Sequence, residues 1–330
     1  MAPSRRRTSC SSRTRRPTVA STTLVTPAAR SARSARPRGV RRNLTAYAFL
    51  APFLVLFCVF VLGPAIYGLW ISLHRWNSLL PIHPFIGLQN YVDLFTPGST
   101  TSGDFWQSMG ATGIFTLCSV PFLLVVPLVA AVLLNQRIRG TTVFRGIFFA
   151  PYVLGVAVIG VIWKYLLDPQ SGPLNHVLQA FGLPSNTPWT VDTPWVWVSL
   201  VGVTVWWTSG LNTVIILAGL KGIGAELYEA ASLDGAGTIR KFFSVTIPGL
   251  RPVMLFVTTT TILASANMFG QSYLMTQGGP GNATRTAIMY ISNEGLSQGQ
   301  MGAASAMSYL LFAVLAVISI VNFRLQRERD

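Results

Sequence analysis

Few side chains in this 330-residue chain can do chemistry, and the densest group of them sits in one short stretch. Glu229 to Pro248, EAASLDGAGTIRKFFSVTIP, carries Glu229, Asp234, Arg240 and Lys241 between two apolar runs, Trp195 to Leu220 and Val253 to Met275. A carboxylate beside small residues is chemistry for docking. Ala230 and Ala231 permit close approach, and Glu229 can pair with an Arg or Lys of another protein. An amphipathic helix lying on a bilayer and touching nothing is the competing reading.

Elsewhere the chain lacks the groups that enzymes use. The three lysines, Lys164, Lys221 and Lys241, do not follow a glycine, so no GxxxxGK[ST] phosphate loop exists. There is no GxSxG, HExxH or CxxC. Cys10, Cys58 and Cys118 form no disulfide framework, and His74, His83 and His176 lack ligand spacing and are expected at the surface. The acids fall in loops, in the Glu229 stretch or at the carboxyl terminus, which argues against a carrier driven by protons or sodium. Neither catalysis nor ATP binding is expected of this chain; any energy must come from another.

The elements that position the Glu229 stretch are apolar. The chain is 51% hydrophobic and 11% charged, with a mean hydropathy of +0.49. Its net charge of +15 is concentrated in a tail, residues 1–43, where Arg5 to Arg42 supply twelve of 25 basic residues. Without aromatics to stack on bases, this arm is expected to be disordered near anionic lipid, not to bind nucleic acid. Six apolar runs are long enough to cross about 30 Å of hydrocarbon. They are Thr45 to Leu73, Ala111 to Leu134, Val143 to Leu167, Pro194 to Leu220, Pro252 to Thr276 and Ala303 to Phe323. Several contain Pro or Gly (Gly63-Pro64, Pro121, Pro127, Pro151), which a helix bundle tolerates when neighbours satisfy the freed backbone groups.

Basic residues orient these spans. With the amino terminus inside, the inner side holds the tail, Arg137, Arg139, Arg145, Lys221, Arg240, Lys241, Arg251, Arg324, Arg327 and Arg329, and the outer side only Arg75, Lys164 and Arg285. Both termini and the Glu229 stretch are then cytoplasmic. Within that stretch, Ala225 to Leu233 reads as a helix stopped by Asp234-Gly235. Ala236 to Thr246 reads as a second helix with Ile239, Phe242, Phe243 and Val245 near one face, and Pro248 and Pro252 restart the chain before the fifth span. Trp189, Trp195 and Trp197 read as an interfacial belt.

The positions Glu229, Ala230, Ala231, Gly235, Val245, Ile247 and Pro248 resemble the EAA motif of permease subunits of binding-protein-dependent ABC importers, with Val245 and Ile247 as conservative departures. The likeness extends over roughly residues 45 to 325. Phe85-Ile86-Gly87-Leu88-Gln89-Asn90-Tyr91, Gly172-Pro173-Leu174-Asn175 and Gly278-Gly279-Pro280 with Asn282-Ala283-Thr284 are similar to stretches of sugar permeases of the maltose-permease-like first-subunit type. The resemblance implies an all-α transmembrane domain over 44–325, a coupling segment over 222–250 between helices four and five, and a short tail over 326–330. It also implies an ATPase-coupling role for Glu229, Ala230, Ala231, Asp234, Gly235, Val245, Ile247 and Pro248. Expected partners are a second related permease, two ATPase subunits that bind ATP and Mg, and an extracytoplasmic solute-binding protein.

A polar solute needs a lined route. Trp206, Trp207, Ser209 and Asn212, then Thr258 to Thr261, Ser265, Asn267, Gln271 and Tyr273, offer amides and hydroxyls beside aromatic faces, chemistry that suits a neutral sugar. Trp207, Asn212, Asn267, Gln271 and Tyr273 are the chosen candidates; for the hydroxyls, interhelical hydrogen bonding is the alternative. The rival functions are an ion-coupled secondary transporter of a small polar solute, a polytopic membrane enzyme and a lipid-facing scaffold.

Overall fold

The computed structural model describes residues 40–136, 141–184 and 186–327. Most of the basic tail, Arg137, Arg139 and Arg329 lie outside the described residues. The chain divides into two units, Met1–Phe57 and Cys58–Asp330. In the first, α1 (Val40–Phe57) contains Pro52, and Phe53 stacks on Phe57 with ring centroids 6.1 Å apart. The tail was expected to be unstructured to residue 43, yet helix begins at Val40.

Among the described residues of the second unit the named elements are all helices, joined by turns and loops, with an isolated antiparallel bridge between His74 and Phe85. Its helices are α2 (Gly63–Ser72), α3 (Gln89–Phe95), α4 (Thr100–Asn135), α5 (Thr141–Val153), α6 (Val156–Leu166), α7 (Pro173–Ala180), α8 (Trp195–Lys221), α9 (Ala225–Leu233), α10 (Thr238–Lys241), α11 (Ile247–Ala266), α12 (Ala287–Ser292) and α13 (Met301–Arg327). Among the described residues, four π-helical turns interrupt or end helices, at Cys58–Leu62, Phe242–Thr246, Ser272–Thr276 and Asn293–Ser297.

Among the described residues, five helices are individually long and apolar enough to cross a membrane: Tyr47–Ser72, Thr101–Asn135, Trp195–Lys221, Thr238–Ala266 and Met301–Leu325. The third apolar run, expected as one span, is two helices bent by 96°, and counts as a sixth span only when taken together. Pro151 removes one backbone donor, and Gly155, in an extended conformation, starts α6 afresh. The second span is longer than its apolar run. Ser108 and Thr112 turn their hydroxyls back onto the carbonyls of Asp104 and Ser108, which lets polar sequence stay helical ahead of the apolar part.

The fifth span is also placed differently. It starts at Thr238 and ends at Ala266, not Pro252 to Thr276. The π turn at Phe242–Thr246 joins α10 to α11, and Pro248 follows it directly, in the first turn of α11.

Three hydrophobic clusters hold the second unit. One joins Leu94, Phe105, Tyr290, Met307 and Leu311. A second joins Phe115, Ile159, Leu200, Met268 and Met275. The third joins Ala131, Leu217, Leu220, Leu250 and Val257 beside the Glu229 segment. Close helix approach depends on glycines: a Cβ at Gly210 would lie 2.3 Å from the Phe148 carbonyl oxygen, and one at Gly302 would lie 2.3 Å from that of His74. In lipid such close packing replaces much of the hydrophobic drive.

Two expectations about ring side chains change. His74 is buried, its Nδ1 2.8 Å from the Trp70 carbonyl, and His83 stacks on Trp76 at 3.9 Å; of the three histidines only His176 is exposed. Trp189 donates through Nε1 to Asn175 Oδ1 at 2.8 Å and packs edge-on to Trp195, so it is a packing residue more than a belt residue.

Candidate functional site: a cavity between two broken helices and an exposed turn

A cavity of about 510 Å³ opens between α4, α8 and α11, within the range of small-ligand pockets. Four of the five candidate residues line it: Trp207, Asn212, Asn267 and Gln271. Tyr273 does not. It stands 51% exposed in a separate pocket, because the chain breaks after Ala266 and the Ser272–Thr276 π turn carries it away.

Two interruptions in the helices face this cavity. Tyr152 and Val156 flank the break between α5 and α6, while Asn267 to Gln271 follow the end of α11. The two breaks touch: a Cβ on Gly270 would lie 2.4 Å from Val156 Cγ2. Irregular backbone at membrane depth is tolerated where it is buried in protein or lines a cavity, and here its polar groups find partners. Trp207 Nε1 donates to the Leu154 carbonyl at 3.0 Å, and Thr286 Oγ1 donates to that of Met268 at 2.7 Å.

Asn212 answers for a proline. Pro127 in α4 has no N–H, which frees the carbonyl one turn earlier, at Leu123. Asn212 Nδ2 donates to that carbonyl at 3.1 Å and to Thr261 Oγ1 at 3.2 Å. Asn267 Nδ2 likewise turns back to the Leu263 carbonyl at 2.8 Å. With the nitrogens engaged, each side chain keeps its Oδ1 as an acceptor for hydroxyl hydrogens. Gln271, 7% exposed, reaches Thr204 Oγ1 at 3.5 Å. Among the described residues, no charged one is in the lining. Trp207, Phe115, Tyr152, Phe256 and Phe269 add aromatic faces.

Of the other polar candidates, Thr260, Thr261 and Ser265 line the cavity, and Ser119 Oγ donates to Ser265 Oγ at 3.1 Å, so one residue can both line and join helices. Tyr152, Thr204 and Thr208 were missed. Pro151 and Gly155 around Tyr152 were the available signal that a span breaks there.

Hydrogen bonds secure the segment that follows α11. Thr284 Oγ1 is 2.8 Å from Thr276 Oγ1 and donates to the Gly279 carbonyl at 2.7 Å. The Ala287 N–H donates to Thr112 Oγ1 at 2.9 Å. Arg285 binds Asp104 at 2.7 Å, and its guanidinium lies 4.8 Å from the centre of the Tyr290 ring. Burial, with smaller contributions from Glu294 and Asp104, pushes the Tyr290 phenol up, and Arg285 opposes it. In the loop after α6, the Ser171 backbone N–H, its hydroxyl and the Gln170 N–H hold the Asp168 carboxyl below its ordinary value.

The Glu229 segment is a helix, a tight turn and a second helix. The Gly235 N–H donates to Ser232 O at 3.1 Å and the Ala236 N–H to Ala231 O at 2.9 Å, a Schellman closure with Gly235 at φ +73°. Glu229, Ala230 and Asp234 are exposed, as are Leu227, Leu233, Ile239 and Phe243. The second helix does not present its apolar residues together. Ile239 and Phe243, four apart, face out, whereas Phe242 and Val245 are half-buried across the π turn. Tyr228 and Thr246 share a hydrogen bond, and a Cβ on Gly249 would lie 2.9 Å from Ile223 Cδ1, so α9 rests on the foot of α11.

Residues 101–328 match the family described as binding-protein-dependent transport system inner membrane component. The chain belongs to that family. It is thus a multi-pass membrane permease, a transport subunit and not an enzyme, and the ion-coupled carrier is set aside. The permease is 32% identical over 283 residues to the trehalose/maltose transport system permease protein MalF of Thermococcus litoralis, covering 86% of this chain and 94% of that protein. It is 33% identical over 284 residues to the arabinooligosaccharides transport system permease protein AraP of Bacillus subtilis, covering 84% and 87%. It is 31% identical over 292 residues to the lactose transport system permease protein LacF of Rhizobium radiobacter, covering 87% and 95%. Its fold is shared with a bacterial ABC transporter involved in import of the acidic polysaccharide alginate, at a TM-score of 0.73 and 21% identity, over 88% of this chain and 97% of that one. A structure of the bacterial alginate ABC transporter in complex with an alginate pentasaccharide-bound periplasmic protein matches at a TM-score of 0.74 and 20% identity, over 88% and 96%.

Proposed function

We propose that this permease forms the path for a neutral mono- or oligosaccharide in an ATP-driven importer. The uncharged cavity carries the proposal: its amide oxygens accept hydroxyl hydrogens, its rings suit the apolar faces of sugars, and no lining cation would pair with an acidic solute. Three relatives are named for trehalose/maltose, arabinooligosaccharides and lactose, all neutral saccharides.

The chain crosses the membrane six times, the α5–α6 pair being one broken crossing, with both termini in the cytoplasm. The excess of Arg and Lys on one side supports that orientation. A second, related permease completes the path, two separate ATPase subunits bind ATP and Mg, and an extracytoplasmic binding protein delivers the sugar. Glu229 to Pro248 is the coupling segment. Exposed apolar side chains around exposed carboxylates suit a groove on an ATPase. Closure of the ATPases pushes on α9; the Tyr228–Thr246 bond and the Ile223–Gly249 contact pass that push to α11, whose other end lines the cavity. Access then alternates between the two sides.

The test is reconstitution in liposomes with an ATPase, a second permease and a binding protein from the same organism. Uptake of labelled maltose, trehalose or lactose should require ATP and the binding protein and survive an ionophore. Uptake that ignores ATP, or labelling that places residue 229 outside, overturns the proposal.

A further inference from the structure

A second pocket, about 480 Å³, lies beyond the central cavity and is lined by Phe269, Tyr273, Asn282, Arg285, Asn293 and Ser297 among others. We infer that it is a separate subsite for the same neutral saccharide, occupied on the way to or from the central cavity. The inference rests on the function proposed above and adds a site to it.

Four observations carry it. Phe269 lines both cavities, so they share a wall residue. The Phe269 ring stacks on Tyr273 at 5.2 Å and 15°, and Tyr273, half-exposed, lines the second pocket and not the first. The remaining chemistry repeats that of the first site: the Asn282 and Asn293 amides and the Ser292 and Ser297 hydroxyls beside an aromatic face. Finally, two π turns supply its walls, Ser272–Thr276 through Tyr273 and Asn293–Ser297 through Asn293, Leu296 and Ser297. Such turns re-aim side chains and recur at functional sites.

The one charge in the lining does not select an anion. Arg285 is committed to Asp104 at 2.7 Å and to Ser108 Oγ at 3.3 Å, and its guanidinium sits over Tyr290. With that cation matched, the pocket offers a neutral surface of donors and acceptors. The wall containing Asn282, which has φ +64°, is anchored through Thr284, a fully buried residue, so the pocket exists before ligand arrives.

The experiment uses the whole importer in lipid nanodiscs, with Cys10, Cys58 and Cys118 replaced by Ser and a single reporter, Ser297→Cys, labelled with a methanethiosulfonate reagent. Maltose, trehalose and lactose are the probes and galacturonate the charged control. The saccharide that the importer carries should slow labelling severalfold. That protection should persist with Asn212→Ala in the central cavity and disappear with Tyr273→Ala. Galacturonate should not protect. Ser292→Cys is the second reporter should Ser297→Cys fail to assemble. Active uptake of a saccharide that leaves labelling unchanged, or protection lost with Asn212→Ala, overturns the subsite alone. An importer that carries none of these saccharides brings down the proposed function itself, and the subsite with it.

Discussion

Tyr228 Oη and Thr246 Oγ1 lie 3.0 Å apart, joining α9 to the π turn at the foot of α11 across a turn whose tip is Gly235. Because Leu250, one turn further along α11, is fully buried, anything that moves α9 meets a part of the bundle that cannot yield locally. The hydrogen bond is the simplest place to separate force from motion.

Tyr228→Phe removes it at a stability cost of about 0.5–1.5 kcal/mol. Insertion should be normal and ATP hydrolysis should continue, while uptake per ATP falls. Thr246→Val should act in the same direction, and the double variant should be no worse than either alone. Comparing ATP consumed with solute taken up in proteoliposomes checks this.

Glu229→Lys reverses an exposed charge and Gly235→Asp puts a side chain at φ +73°. No atom lies within 4 Å of a Cβ at Gly235, so the penalty is backbone strain alone, on the order of 1–2 kcal/mol. Both variants should insert and fail to transport, and Glu229→Lys should no longer co-purify with the ATPase. Full uptake in either counts against docking through this turn.

Asn212→Ala strands the Leu123 carbonyl and should lower stability by about 1–3 kcal/mol. Adding Pro127→Ala returns a backbone N–H to α4 and should recover most of that loss. If Asn212 also accepts a sugar hydroxyl, the raised KM for uptake will persist in the double variant. Thermal unfolding in detergent and uptake kinetics together separate the two roles.

Gly210→Val forces a side chain against the backbone of α5, 2.3 Å from the Phe148 oxygen. Overpacking of this kind costs about 1–3 kcal/mol where neighbours can shift, and more where the obstacle is backbone. The yield of folded permease by size-exclusion chromatography should drop sharply, whereas Gly146→Ala, with open space at its Cβ, should be neutral.

Asp168→Asn weakens the acceptor that holds Gln170 and Ser171. The folded carboxyl titrates below its ordinary value, so its stabilisation is complete above about pH 4 and disappears as pH falls through the lowered value. The variant should therefore melt earlier than the parent at neutral pH, with the gap closing in acid. Melting curves collected from pH 7 down to about pH 3 test the sign.

Much of this architecture was legible in the order of residues. A bilayer admits long apolar helices and little else, so the apolar runs announced the spans, and Asp234-Gly235 announced the end of α9. The exposed turn was legible for the same local reason: its stop, its small residues and its charges all lie within one short segment.

What hydropathy could not supply was direction. The run from Val143 to Leu167 is as apolar as a straight span, but it bends by 96° because Pro151 withdraws a donor and Gly155 restarts the helix. The fifth span begins at Thr238, ahead of both its prolines, since the π turn at Phe242–Thr246 joins α10 to α11. Asn212 and Pro127 could each be seen alone, but only the packing of α8 on α4 makes one the remedy for the other. Tyr273 parted from Gln271 for a similar reason: two residues along an irregular backbone suffice to face a different cavity. Sequence alone determined that this chain is a bundle of membrane helices with a polar turn, because solvent and hydrogen bonding act locally. Tertiary structure decided which polar groups meet, because partners far apart in the chain come together only when the helices pack.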